Sequence, residues 1–265
     1  MSEIVRRYYD EHAEREWQRL DSDRTEVALT MHALREHLPP PPADVLDIGG
    51  GPGSYAIELT RVGYRVTLAD ISESELRVAE AKAAEAGVAL HRLLTADARR
   101  LDAFAAASFD AVLMLGPLYH ILEERGRRNA VSEALRVLRP GGRLFAAFIV
   151  RSAVVRFWAK YDPSVVSNDV ARFARHLQTG EVRDNKGFTD VYLVHPTEAA
   201  PFMESCGCVT LDLIGVEGVI SFIRDKVDKL EGEAWEGWMD LNYRLGKDAS
   251  NHGCTEHLLY VGAHR

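Results

Sequence analysis

The sequence has no continuous apolar run approaching the ~20 residues that a bilayer-spanning helix requires, so it predicts no membrane span. Cysteine is scarce: three in 265 residues, an odd number, with Cys206-Gly207-Cys208 at the wrong spacing for the common zinc knuckles. The thiols are therefore expected to be reduced and structural, and no metal site is expected. Basic residues are outnumbered, 32 Lys and Arg against 40 Asp and Glu, and the net charge of −8 opposes a broad phosphate-binding face and disfavours nucleic acid as a partner. The opening residues, Met1 to Arg6, are too charged for a signal peptide, which predicts a cytoplasmic protein. There is no internal repeat, and the only biased tract is Pro39-Pro40-Pro41-Pro42. With 46% hydrophobic residues the chain can bury a full core.

What the sequence does hold is a dense glycine cluster, Val45-Leu46-Asp47-Ile48-Gly49-Gly50-Gly51-Pro52-Gly53-Ser54-Tyr55. A short apolar run, a turn and a helix-compatible stretch predict a buried strand, a tight loop and a helix. Glycine permits positive φ and close approach of a ligand, and the N–H groups of the opening helix turn favour an electron-rich one. Because Gly51-Pro52-Gly53-Ser54-Tyr55-Ala56 also fits the dinucleotide fingerprint, NAD and S-adenosylmethionine (SAM) both stay open here.

Upstream, two helices are expected between Ser2 and Leu38, the second opened by a capping box of Asp23 with Glu26. The proline run then forms a stiff connector. Downstream, Tyr64 to Asp70 reads as a second strand ending in an acid placed to accept hydrogen bonds from a ribose diol. Ser72 with Glu75 supplies a capping box for a helix over 73–86. A third strand, Val88 to Thr95, leads to Asp97, positioned for an adenine amine, with the Ala98 N–H complementing it at the ring. Phe109 to Leu115 is a fourth strand running into Gly116-Pro117-Leu118-Tyr119-His120, and Arg143 to Val150 a fifth after a helix over 127–138. Strand and helix alternating at this length give a parallel sheet.

The glycine loop from Asp47 to Gly53, Asp70, Asp97, the strand end at Leu115-Gly116-Pro117 and the turn at Leu138-Arg139-Pro140-Gly141-Gly142 together resemble the class I SAM-dependent methyltransferases. With the helical arm and Gly116 to His120, the chain is similar to the small-molecule, ubiquinone-biosynthesis-like type. The resemblance implies an α/β fold, a Rossmann-like doubly wound seven-stranded sheet with six parallel strands and one antiparallel. The last two strands would be Val209 to Val216 and His257 to Ala263. It also implies SAM (leaving as S-adenosylhomocysteine) over Asp47, Gly49, Gly50, Gly51 and Gly53, with Asp70, Ile71, Asp97, Ala98 and Leu115 beside it. The expected divisions are a helical arm over 1–42, a SAM-binding core over 43–150, a helical lid insertion over 151–190 that encloses the acceptor, and the rest of the core over 191–265. Gly187 to Val194 reads as an extended arm, and Pro196 opens a helix.

Methyl transfer is an in-line displacement that needs alignment first and a base only if the acceptor arrives protonated. His120 is the candidate base by its place after the fourth strand, with a cofactor contact as the equal alternative. Tyr119 is expected as a wall. His195 could direct an acceptor or simply begin a helix, and Tyr8 and Tyr9 could close over the ligand or pack. A metal at His252, Cys254 and His257 is disfavoured, because no carboxylate pair accompanies His257 in the sequence. The strand-four end lacks the Asn/Asp-Pro-Pro-Tyr/Phe pattern of amide and base-nitrogen methyltransferases and has no proline–cysteine nucleophile for cytosine carbon. A small-molecule acceptor for a monomer or homodimer is thereby favoured over RNA, protein or a non-catalytic SAM-binding role.

Overall fold

The computed structural model describes residues 3–183 and 188–265. Ser2 and Gly187, where the sequence reading begins a helix and a strand, lie outside them. The chain starts with α1 (Glu3–Ser22, bent at His12) and α2 (Arg24–His37), then enters the sheet through β1 (Asp44–Ile48). There follow α3 (Ser54–Arg61), β2 (Arg65–Asp70), α4 (Glu73–Glu85), β3 (Arg92–Thr95), β4 (Phe109–Met114), the single turn α5 (Pro117–His120), α6 (Glu124–Val137) and β5 (Leu138–Ile149). Outside the alternating core run α7 (Arg151–Tyr161), α8 (Val170–Thr179) and a ribbon of β6 (Glu181–Val182) with β7 (Val191–Tyr192). The chain closes with α9 (Pro196–Ser205), β8 (Cys208–Gly215), α10 (Arg224–Val227), α11 (Gly232–Gly246) and β9 (His257–His264).

The main sheet has seven strands in the order β3-β2-β1-β4-β5-β9-β8. Since β9 pairs antiparallel with both β5 and β8, it alone runs against the other six, as the sequence led us to expect. Strand β1 lies between β2 and β4, so the connections leave it in opposite directions and open a crevice at the carboxyl ends of β1 and β4. Because β9 is reversed, its first residue stands at that same edge: His257 pairs with Ile149, the last residue of β5. The core is two apolar layers, one around Val131, Leu135 and Met203, the other around Leu29, Leu34, Leu59 and Tyr243. None of the described helices is long and apolar enough to cross a membrane.

Three local expectations change. Residues 88–90 do not join the sheet and His91 gives it only its N–H, to the Val66 carbonyl, because Gly87 takes a positive φ and the Val88 N–H donates back to the Ala83 carbonyl, closing α4 before β3 begins. Asp23 makes no side-chain cap to α2; its carboxylate is held by Arg19 and Arg224, each at 3.2 Å, and Glu26 by Arg19 at 2.9 Å, since charge-assisted pairs outweigh a neutral cap. At α4 only half of the capping box forms. Ser72 Oγ accepts from the Glu75 N–H, but the Ser72 N–H donates to Asp70 Oδ1 at 2.8 Å, leaving the buried Glu75 carboxyl with no hydrogen-bond partner among the described residues.

Asp47 is another acid in the core. It is fully buried on β1 with both oxygens unpartnered among the described residues, and desolvation, then the charge of Asp70, raises it from 3.8 to about 7. A folded-state pKa above the unfolded one means the native protein binds the proton more tightly. Stability is therefore lost as pH rises from near 4 to near 7 and is flat above, a cost on the order of 4 kcal/mol at 1.36 kcal/mol per unit. Asp47→Asn should accordingly melt several degrees higher than wild type at pH 8, with the gap closing near pH 4. Calorimetric scans across that range check it, and a pH-independent difference would show that ionisation of Asp47 is not the cause.

Candidate active site

The crevice at the carboxyl ends of β1 and β4 opens into a cleft of about 850 Å³ including its mouth. Its floor is Gly49, Gly50, Gly51 and Pro52. The backbone is held there from two sides. A Cβ on Gly49 would meet Pro117 Cγ at 2.4 Å, and one on Gly50 would meet Asp47 and Leu68 at 2.5 Å, so the loop is wedged between the ends of β1, β2 and β4. Gly51 sits at φ +54° and donates its N–H to Asp70 Oδ2 at 3.0 Å.

These bonds change the electrostatic character expected of the loop. Gly49 N–H donates to the Ala69 carbonyl, Gly53 N–H to the Gly50 carbonyl and Gly51 N–H to Asp70, while Pro52 has none to give. The loop's donors are thus largely consumed within the protein rather than presented to an anion. Around it stand acids: Asp70 lines the cleft with its pKa raised by burial, and behind it lie Asp47 and Glu75, the latter pushed to about 9 by burial and by Asp70. No Lys or Arg pairs with these three among the described residues. A pyrophosphate would find the Asp70 carboxyl here and no basic partner beside it, while Glu75, largely neutral below its raised value, adds no charge against a cation. Asp70 still has acceptor capacity for a ribose diol, since a carboxylate accepts about four hydrogen bonds and the backbone N–H groups of Gly51, Ser72 and Ile71 do not fill them. Thus the site fits a cationic nucleoside and not a dinucleotide.

Of the residues singled out from sequence, Gly49, Gly50, Gly51, Asp70, Ile71, Leu115, Tyr9, Tyr119 and His120 line this cleft. Others are placed elsewhere. Asp47 lies beneath the loop, and Gly53 caps α3 at φ +84° with a prospective Cβ 3.1 Å from that of Ala79. The Asp97 carboxylate is engaged by the Arg99 guanidinium at 2.7 Å, and the Asp97–Ala98 turn is not part of the lining. Tyr8 stacks on His12 at 4.6 Å and meets the edge of Phe188. His195 is exposed and caps α9 in a box with Glu198, accepting from the Thr197 N–H, so its ring is spent on the helix rather than on the cleft.

His120 is buried, with Nε2 2.8 Å from the Tyr9 hydroxyl and Nδ1 3.4 Å from the Asp190 carbonyl oxygen. Burial lowers its pKa to about 4, so it is neutral at physiological pH and already hydrogen-bonded. This is a poor setting for a base and a good one for a clamp between α1 and the end of β4.

The far wall of the cleft comes from elements that local sequence patterns did not connect. Glu16 and Arg19 of α1, Glu26 and Thr30 of α2, Tyr55, Val216, His257 and Leu259 all face it, while no described residue of 151–190 does. The insertion expected to enclose an acceptor is therefore not what walls the described cleft; the helical arm is. Arg19 ties Glu16 and Glu26 together at 2.8 and 2.9 Å. Beside them His257 Nδ1 lies 2.5 Å from Glu217 Oε1. The sequence reading left His257 without a carboxylate pair because Glu26 and Glu217 are remote in the chain; the fold brings one donor atom from each of the three within 4.8 Å of the others. Arg19 holds Glu26, and Glu217 holds His257 through Nδ1, so we read the cluster as an ion-pair network. A hint was present in the sequence: a charged Glu-Gly at the end of a strand and a histidine opening the last one.

A methyltransferase-domain family model matches residues 45–142. The ubiquinone biosynthesis O-methyltransferase of Methylobacterium sp. (strain 4-46) is 35% identical over 195 residues, 71% of this chain and 70% of that protein. The like-named enzyme of Methylocella silvestris is 36% identical over 109 residues, so the match spans only 40% of that relative and 41% of this chain. Among solved structures, a SAM-dependent methyltransferase from Methanosarcina mazei superposes with a TM-score of 0.59 over 88% of this chain and 96% of its own, at 20% identity, a likeness of fold. The glycine loop wedged at the switch point, the acid-lined cleft and the extent of the Methylobacterium match lead to one conclusion: the chain belongs to the class I SAM-dependent methyltransferases, of the ubiquinone-biosynthesis-like type.

Proposed function

We propose that the protein transfers the methyl group of SAM to a small-molecule acceptor inside the cleft, releasing S-adenosylhomocysteine. The observation that carries this reading is the pairing of a loop whose Gly49, Gly51 and Gly53 N–H groups are consumed internally with Asp70, which lines the cleft without a basic partner among the described residues. When bound, SAM supplies an activated methyl on a positively charged sulfur. The chain's own residues do the rest. Gly49 to Gly51 provide a floor without side chains, Asp70 takes the ribose hydroxyls, and Ile71 and Leu115 give the base an apolar seat. The Methylobacterium relative is an O-methyltransferase by name, which supports an oxygen acceptor here as well. A monomer or a homodimer is part of this reading, and the three free cysteines suit a reducing cytoplasm.

The acceptor is aligned by the arm. Tyr9 and Tyr119 supply flat apolar walls, and the Tyr9–His120 hydrogen bond pins the arm to the strand that ends beneath the methyl site. Alignment with exclusion of water can supply ~7–11 kcal/mol of the barrier.

Calorimetry should show binding of SAM and S-adenosylhomocysteine and none of NADH. Asp70→Ala should weaken SAM by about 100-fold, through loss of charge-assisted bonds to the diol. Binding of NADH without SAM would move the protein to another class of activity. His120→Ala should weaken SAM or acceptor binding by about 10-fold, the worth of one buried hydrogen bond, and leave the rate at saturation within several-fold. A fall of ~100-fold in kcat at unchanged affinity would instead make His120 the base.

A further inference from the structure

We propose that His257 is the general base for a protonated acceptor, with Glu217 holding Nδ1–H so that Nε2 faces the cleft; the assignment rests on the methyltransferase reading above. Four observations support it. His257 lines the cleft at the same sheet edge as the glycine loop. Its Nδ1 is 2.5 Å from Glu217 Oε1, which sets the tautomer. Glu217 is fully buried and cannot swing away, because its other oxygen accepts from Thr255 Oγ1 at 2.8 Å and from the Glu256 and His257 N–H groups at 3.0 and 2.8 Å. Finally, Nε2 has no hydrogen-bond partner among the described residues, in contrast to His120, whose two nitrogens are both engaged.

The chemistry balances within the cleft. The acceptor hydroxyl's lone pair forms the O–C bond as the C–S bond breaks, the bonding pair stays on sulfur, and the hydroxyl proton passes to Nε2. The positive charge lost from the sulfonium reappears on an imidazolium held against Glu217. Burial alone would favour the neutral ring, but the Glu217 and Glu26 carboxylates outweigh it and raise His257 to about 9, opposed weakly by Arg19. Glu16 of α1 is tied to Arg19, Tyr119 stands 6.3 Å from the imidazole centroid, and Arg224 reaches Glu217 at 4.0 Å. At neutral pH such a ring is mostly cationic, so the proton passes to the neutral fraction, which grows as pH rises toward 9 and as the sulfonium of bound SAM lowers the value; the conjugate acid formed is then matched to a phenol or enol hydroxyl near 10. The acceptor class is thus a small molecule with an acidic hydroxyl.

The test uses the full chain labelled with 15N-histidine, with the His257 resonance assigned through His257→Gln. In the free protein, His257 should titrate near 9 with the proton on Nδ1 in its neutral form, and Glu217→Gln should lower that value by at least one unit. SAM should lower it and S-adenosylhomocysteine should not, because only the sulfonium carries charge. In parallel, methyl-labelled SAM is incubated with a metabolite extract. His257→Gln should cut the labelled product at least 100-fold with SAM affinity kept within threefold. In Glu217→Gln the acid limb of the rate should move to lower pH by at least one unit. Product formed at an unchanged rate by His257→Gln, or identical titration with SAM and S-adenosylhomocysteine, overturns the base while leaving methyl transfer standing. Transfer abolished by chelation and restored by Mn2+ overturns it in favour of metal ligation by the same side chains. If wild type binds SAM and labels nothing, the methyltransferase reading itself fails, and the base with it.

Discussion

The fold of the cleft depends on one contact, the Asp70 carboxylate taking the Gly51 N–H on one oxygen and the Ser72 N–H on the other. It joins the loop leaving β1 to the turn leaving β2 and keeps both at the edge where β1 and β4 diverge. With the loop fixed, Pro117 can pack on Gly49 and hold α5 in place, which delivers Tyr119 and His120 to the cleft. The same contact denies Ser72 its reciprocal partner and strands Glu75. A local rule of helix capping is broken to satisfy a longer-range demand.

The cleft is electrostatically unbalanced on purpose of function rather than of stability. Asp47 and Glu75 have no compensating charge in reach among the described residues, and their raised pKa values record the cost of burying them. On the opposite wall the balance is different. Arg19, Glu16, Glu26, Glu217 and His257 form a network in which Arg19 and His257 sit above their ordinary pKa values and Glu26 and Glu217 below. One side therefore keeps buried acids protonated beneath the loop, and the other holds oriented, ionised groups around an imidazole.

The arm and the 151–190 segment exchange the roles that their positions in the chain suggested. The described residues of 151–190 reach the cleft's lining through the end of the segment, where the Asp190 carbonyl meets His120 and Phe188 meets both Tyr8 and His120. The arm instead enters the cleft itself, because Tyr9, Glu16 and Arg19 fall on one face of α1 and find partners on α2, α5 and, through the charged network, the start of β9.

The sequence alone determined the sheet and the loop, because these rest on short-range patterns: apolar runs closed by acids, glycines where a Cβ would collide, and turns at Gly63, Gly87 and Gly141, all with positive φ. Asp70, Tyr9, Tyr119 and His120 were legible for the same reason, as each lies within a few residues of a strand end or on a helix of clear periodicity. What tertiary structure decided was partnership. Asp23 and Glu26 look like a cap until Arg19 and Arg224 are folded against them, His195 looks free until its own helix takes its ring, and Glu26 lies most of the chain away from Glu217 and His257. Hydrogen bonds and ion pairs between remote segments leave no periodicity to read, so which histidine is tied down and which is open to the cleft was settled only by the packing of α1, α2 and β9 at one edge of the sheet.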